Sequence, residues 1–318
     1  MNSGPLTVVA LGGNAISREG EEGNVDQQFA NSRLTARSLA DLVIAGHRLV
    51  ITHGNGPQIG NFLLRNEAAR DLIYPLPMEV AVAHVQGGMG FMIAQSFMNE
   101  LSTRSIHRVV ATIVTTVEVS REDEAFRNPT KPIGRVMTRD DASRFASEEG
   151  WSVKEISPGK WRRVVPSPKP ERICEIELIR RCVAAGDIVV ACGGGGIPVT
   201  RDAKGSYHGT AAVIDKDLAT ALLAAELGAD LLMILTAVDR VCVDFGKPTQ
   251  RSLDRMTEAE AIRYLAEGQF PAGSMGPKVQ GAIDFLRMSK RDGARAVIGP
   301  LHEASAVASG KIGTTIER

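Results

Sequence analysis

Short apolar, β-branched runs alternate along this chain with stretches of helical period, and no other feature restricts the fold as much. The runs are Thr7 to Leu11, Leu49 to Thr52, Val109 to Val117, Ile188 to Cys192, Leu231 to Thr236 and Ala294 to Ile298. Most are apolar at successive positions and so read as strands covered on both faces. Helical spacing runs through Ile59 to Arg70, Val80 to Leu101, Ile173 to Ala185, Leu218 to Leu227 and Val279 to Arg287. The expectation is an α/β chain, an open and mainly parallel sheet in an α/β/α sandwich. Residues 118–170 break the rhythm, being polar, marked by prolines and too long for a plain connection. They are expected to form a small inserted subdomain, with a helix over Arg139 to Glu149 and a hairpin around Ser157-Pro158-Gly159.

Composition matters here for what it excludes. Thirty-seven basic residues balance thirty-seven acidic ones in 318, so the summed field attracts neither nucleic acid nor an anionic membrane. No run of eighteen apolar residues occurs, and the N-terminus lacks a basic stretch followed by a long apolar one, so a cytoplasmic protein is expected. The four cysteines, Cys174, Cys182, Cys192 and Cys242, have no CxxC spacing and suit buried thiols. No Cys and His cluster suggests a resident metal.

In a parallel sheet, ligands collect where strands end and helices begin, because the first amides of a helix point outward with partial positive charge. Three glycine clusters stand at such ends: Gly12-Gly13-Asn14, Gly54-Asn55-Gly56 and Gly193 to Gly196. One such loop alone reads more readily as a tight turn; three together favour an anion site. A fourth segment, Ala272 to Lys278, opens a helix, with Pro277 at the expected first helical position and Lys278 in the first turn. A cation there opposes the helix dipole unless an anion also binds. Lys131 stands between Pro129 and Pro132, in a loop stiffened before it aims a long side chain. Asp215-Lys216-Asp217 precedes an Ala/Leu-rich helix, where the aspartates either cap the helix or orient lysines.

Amides and lysines suffice for phosphoryl transfer, which needs charge on three equatorial oxygens neutralised and little covalent help. An acceptor that is already an ionised oxygen needs no general base, and His53 reads as a loop hydrogen-bond partner. A P-loop enzyme is excluded by the lack of GxxxxGK, and a dinucleotide-binding dehydrogenase by a glycine spacing one residue too long at Gly54 to Gly60. A non-enzymatic small-molecule sensor on the same fold is an alternative that the lysines argue against.

Seven ordered blocks, ALGGNA (10–15), THGNGPQIGN (52–61), NPTKPIG (128–134), RRVVPSPKP (162–170), GGGGIPV (193–199), AVIDKDLA (212–219) and AGSMGPK (272–278), resemble the amino-acid kinase family, and within it the carbamate kinases. The resemblance runs from Val8 to about Thr315. It implies one domain over 1–318, with an acceptor-binding lobe over 1–200 carrying the 118–170 flap and a nucleotide-binding lobe over 201–318. It also implies reversible phosphoryl transfer between ATP and carbamate, in the ATP-forming direction of arginine or related nitrogen catabolism, in a homodimer. The runner-up is another acyl-phosphate-forming member acting on a different carboxylate. Many relatives place a phosphate-binding lysine two residues before the first Gly-Gly, where this chain has Ala10, so Lys131 is implied as the replacement charge.

By the same resemblance, Lys131, Lys216, Asp217 and Lys278 are catalytic, and Gly12, Gly13, Asn14, Gly54, Asn55 and Gly56 hold substrate and phosphate. Gly194, Gly195, Thr236, Ala237, Met275, Gly276 and Lys278 hold the nucleotide, and Mg²⁺ arrives with ATP or ADP rather than on protein ligands. Two departures stand out: Ala237, where many relatives have aspartate, and Gly88 in Val85 to Gly90.

Overall fold

The computed structural model describes residues 4–18, 20–271 and 273–318, with Asn14 described for its backbone alone. Eight strands form the main sheet, in the order Arg255–Thr257, Thr314–Glu317, Arg295–Pro300, Leu231–Thr236, Leu6–Leu11, Arg48–His53, Ile188–Val190 and Val110–Thr112. Every pairing is parallel except that of Arg295–Pro300 with Thr314–Glu317.

The sheet divides two cores by side-chain alternation. Along the central strand, Leu6, Val8 and Ala10 face one layer and Val9 and Leu11 the other. The first layer holds the helices Ile176–Ala185, Lys216–Leu227 and Met275–Met288. The second holds Val25–Ile44, Met78–Thr103 and Ala304–Ala308. Each fully buried Val or Leu of this kind contributes about 1.5–3 kcal/mol, so the central strand is anchored firmly in both layers. The α/β/α expectation holds.

Two expected elements differ. Val109 to Val117 is not one strand: Val110–Thr112 ends in the main sheet, and Thr116–Val119 belongs to a separate four-stranded sheet. The break is made by polar partners, since the amide of Thr115 donates to Gln86 Oε1 and that of Thr116 to Glu175 Oε2. Ile173 closes the strand Pro170–Ile173 instead of opening a helix, which starts at Ile176.

Residues 131–165 form a three-stranded antiparallel sheet, with Val153–Ser157 and Lys160–Val165 making the expected hairpin and Arg139–Glu149 the expected helix. This piece has a small core of Met137, Ala142 and Phe145, with Trp151, Val153 and Trp161 against it. Trp151 stacks on Phe145 at 4.5 Å between ring centres. It is a subdomain in the physical sense of burying its own apolar residues.

Candidate active site

Four strands that are neighbours in the sheet, Leu231–Thr236, Leu6–Leu11, Arg48–His53 and Ile188–Val190, end on the same edge. Their following loops are Thr236-Ala237, Gly12-Gly13, Gly54-Asn55 and Gly193 to Gly196, so sheet order alone brings distant glycines together. Two clefts open there. One, about 630 Å³, is lined by Gly13, Gly54, Asn55, Gly56, Lys131, Arg162, Gly194, Asp215, Lys216 and Asp217 among others. The second, about 790 Å³, is lined by Gly12, Gly13, Thr236, Ala237, Ser274, Lys278 and His302 among others. Gly13 and Gly273 belong to both, so the clefts meet.

At that meeting stands Asp217, buried at the second position of helix Lys216–Leu227. Its Oδ1 lies 2.7 Å from Lys216 Nζ and its Oδ2 accepts a hydrogen bond from Lys278 Nζ at 3.4 Å. Burial works against the charged carboxyl, yet the two ammonium groups outweigh it and hold Asp217 below the ordinary carboxylate range. Burial likewise pushes the Lys216 ammonium below its ordinary value, against the pull of Asp217. The Lys216 contact is close but too poorly angled for a hydrogen bond, and its ammonium has no hydrogen-bond acceptor among the described residues. A buried cation with donors to spare is a demand for an anion.

The second unsatisfied donor is Asn55 Nδ2, buried in the same cleft. Asn55 is the N-cap residue of helix Gly56–Ala68, whose first amides have no partner within the helix. Lys131, the first residue of the subdomain strand Lys131–Met137, reaches the cleft from above, and its Nζ donates to Asp215 Oδ2 at 2.9 Å. Lys131 and Lys216 thus line one cleft and Lys278 the adjoining one.

Several residues stand differently from expectation. Helix Met275–Met288 begins two residues before Pro277, which is tolerated in the first turn because the early amides there are unbonded anyway. The amides of Gly12 and Gly54 donate to the Leu235 and Leu11 carbonyls, so both glycines line the site as close-packed backbone. Gly194 belongs to the cleft with Lys131 and Lys216, not to that of Thr236 and Ala237, and Gly195 packs behind it, where a Cβ would meet the Ile214 carbonyl at 2.4 Å. A Cβ on Gly194, at φ +66°, would stand 2.1 Å from Asn55 Nδ2. The glycine run is thus shaped by the side chains it covers. Met275 is partly buried against the first core and Gly276 is buried, its amide donating to the Pro271 carbonyl at 2.9 Å. The Asn14 side chain and Ala272 lie outside the described residues.

His53 is buried, its Nδ1 donating to the Gly54 carbonyl at 3.2 Å, and burial lowers its pKa to about 4. It is a neutral loop partner at neutral pH. Arg162 was not singled out from the sequence, although its block was. It lines the first cleft, donates to the Gly134 carbonyl at 2.7 Å, and its Nε has no partner among the described residues. Burial lowers its pKa as well. A free-standing arginine carries no sequence signal without a structure to show which face it occupies.

A profile of the amino acid kinase family matches residues 5–298. The carbamate kinase of Pyrococcus horikoshii is 46% identical over 97% of this chain and 98% of its own length. That of Clostridium perfringens is 44% identical over 97% and 98%. Among solved structures, the carbamate kinase of Giardia lamblia bound to AMP-PNP superposes with a TM-score of 0.93 at 39% identity, over 100% of both chains.

Proposed function

Since this chain belongs to the amino acid kinase family, we propose that it is a carbamate kinase, moving a phosphoryl group between ATP and carbamate. One observation carries this reading: two ammonium groups share the single buried carboxylate of Asp217 at the junction of two clefts, with a third ammonium, Lys131, entering from the inserted subdomain. The first cleft takes the carbamoyl side and the second the nucleotide, so the migrating phosphorus sits between Lys216 and Lys278. In the ATP-forming direction the bond from phosphorus to the carbamate oxygen breaks and a bond to the terminal oxygen of ADP forms. Carbamate leaves as an anion, and no proton has to be moved.

The residues divide the work by position. Lys131, Lys216 and Lys278 neutralise the charge spread over the transferring group, and Asp217 keeps two of them in place. Gly13, Asn55 and Gly56, with Gly194 packed against Asn55, form the wall that holds phosphate oxygens. Thr236, Ala237 and the start of helix Met275–Met288 form the nucleotide side. That a Giardia relative was solved with AMP-PNP supports nucleotide use. Among the described residues no group of three or more His, Cys, Asp or Glu is disposed to hold a metal, and Asp215 and Asp217 are both engaged by lysines. The donor set fits a Mg²⁺ ion brought and held mainly by nucleotide phosphates, where it supplies charge neutralisation.

Helix Met78–Thr103 is apolar on nearly every face, yet Val80, Phe91 and Met98 are exposed on it. This supports a homodimer with a second copy covering that face. No helix among the described residues is long and apolar enough to cross a membrane. The resemblance to carbamate kinases is what supports the further proposal of a cytoplasmic enzyme in the breakdown of arginine or a related nitrogen source.

The test is a coupled assay for ATP made from ADP and carbamoyl phosphate, beside a panel of other acyl phosphates. Turnover with carbamoyl phosphate above all others is expected. Preference for a larger acyl phosphate would replace the assignment with another acyl-phosphate-forming member of the family.

A further inference from the structure

We infer that Asp215 is a positioning residue for Lys131, joining the start of the lysine-bearing helix to the inserted subdomain through one carboxylate. The inference rests on the carbamate kinase reading and deepens it. The two oxygens of Asp215 do separate jobs. Oδ1 accepts the amide of Asp217 at 2.9 Å, which caps helix Lys216–Leu227 and fixes the direction of the carboxylate. Oδ2 then faces the cleft and accepts from Lys131 Nζ, also at 2.9 Å. The partners are 84 residues apart in sequence, and both side chains are about three-quarters covered, at 27% and 24% exposure.

The consequence is geometric. A free lysine spreads over many rotamers, and fixing it costs side-chain entropy. Asp215 holds the Lys131 ammonium at the cleft wall before an anion arrives, and the phosphoryl group meets a side chain already extended. The charges are matched accordingly: Asp217 serves Lys216 and Lys278, and Asp215 serves Lys131. Among these five groups, three ammonium groups against two carboxylates leave one positive charge in excess, and Arg162 in the same cleft adds to it, which suits an incoming phosphate.

Capping and positioning can be separated, because Asn caps a helix as well as Asp does but presents an amide NH₂ where Oδ2 meets the ammonium. The experiment is a double-mutant cycle of wild type, Asp215→Asn, Lys131→Ala and both together, read as ATP formation from carbamoyl phosphate. Asp215→Asn is expected to lower kcat about tenfold with the Tm unmoved. In the Lys131→Ala background the same change is expected to alter kcat less than about twofold. An equal loss in both backgrounds, a loss that follows a fall in Tm, or full activity of Asp215→Asn would overturn the inference.

A second readout is independent of turnover. Acylation of Lys131, followed by peptide mass spectrometry on the full chain, is expected to be several-fold faster in Asp215→Asn; equal rates overturn the positioning role whatever the catalytic assay gives. If wild type makes no ATP, or Lys131→Ala is fully active, the functional reading fails, and the acylation rates still decide the case of Asp215.

Discussion

Gly281 lies where helix Met275–Met288 crosses Asp217, and a Cβ on it would stand only 2.9 Å from the Asp217 carbonyl oxygen. The missing side chain lets the two helices approach closely enough for Lys278, three residues earlier, to reach the Asp217 carboxylate. Gly281→Ala is therefore expected to part the helices by a few tenths of an ångström, cost about 1–3 kcal/mol of stability and lower kcat about tenfold. Urea denaturation and steady-state kinetics measure both. Unchanged kcat would show that the close crossing does not set the Lys278 position.

Asp217→Asn removes the one carboxylate between two lysines. The fold then carries two covered ammonium groups that have lost their paired carboxylate, a situation that costs about 3–5 kcal/mol, and turnover should fall at least about a hundredfold. Because the folded carboxyl sits below its ordinary value, its stabilisation is present above the unfolded value and disappears as pH falls through the folded one. The variant should therefore lose part of the acid-dependent slope as well as its stability, as urea unfolding at several pH values would reveal.

His53 gives a second acid-sensitive contribution. Burial lowers its pKa from 6.5 to about 4, the Gly54 hydrogen bond working the other way and Lys216 adding to the fall. Below pH 6.5 the unfolded chain binds a proton that the folded one refuses, so stability declines as pH drops toward 4. The decline attributable to this ring is about 3 kcal/mol. His53→Asn should flatten the stability curve over that window relative to wild type; parallel curves would mean that the ring takes up its proton as readily in the fold as in the unfolded chain.

Arg162 lines the same cleft as Lys131, with an unused donor and no carboxylate partner among the described residues. Arg162→Ala is expected to raise the KM for carbamoyl phosphate about tenfold and leave that for ADP unchanged, since the residue does not line the nucleotide cleft. Lysine at this position should not restore it, because a point charge lacks the planar fork. Equal effects on both substrates would argue for a general packing role.

The strand pattern was readable because central parallel strands are apolar at successive positions, as Val8 to Leu11 are. Within the proline-marked stretch the helix Arg139–Glu149 and the hairpin after it were readable, whereas its expected ends at 118 and 170 fall in strands of the four-stranded sheet. Two helices, Val25–Ile44 and the shorter Glu258–Ala266, escaped notice although each carries a capping box, Asn24 with Gln27 and Thr257 with Glu260. Helix Val25–Ile44 mixes Asn, Ser and Thr into its buried face, which blurs the apolar period. The lysines announced themselves through proline and helix-start context. What stayed hidden was partnership: that Gly194 answers Asn55, that Gly281 answers Asp217, and that Asp215 answers Lys131 are relations across the fold, with no mark in the local sequence.

Trp151 and Trp161 are the two tryptophans of the chain, and both lie in the inserted subdomain. Trp151 is sandwiched between the Phe145 ring and the Arg163 guanidinium, which lies 4.4 Å from its ring centre. Indole emission from this protein therefore comes from that subdomain alone. Any movement of it toward or away from the clefts carries its own optical signal, and its kinetics can be followed in rapid mixing without attaching a dye.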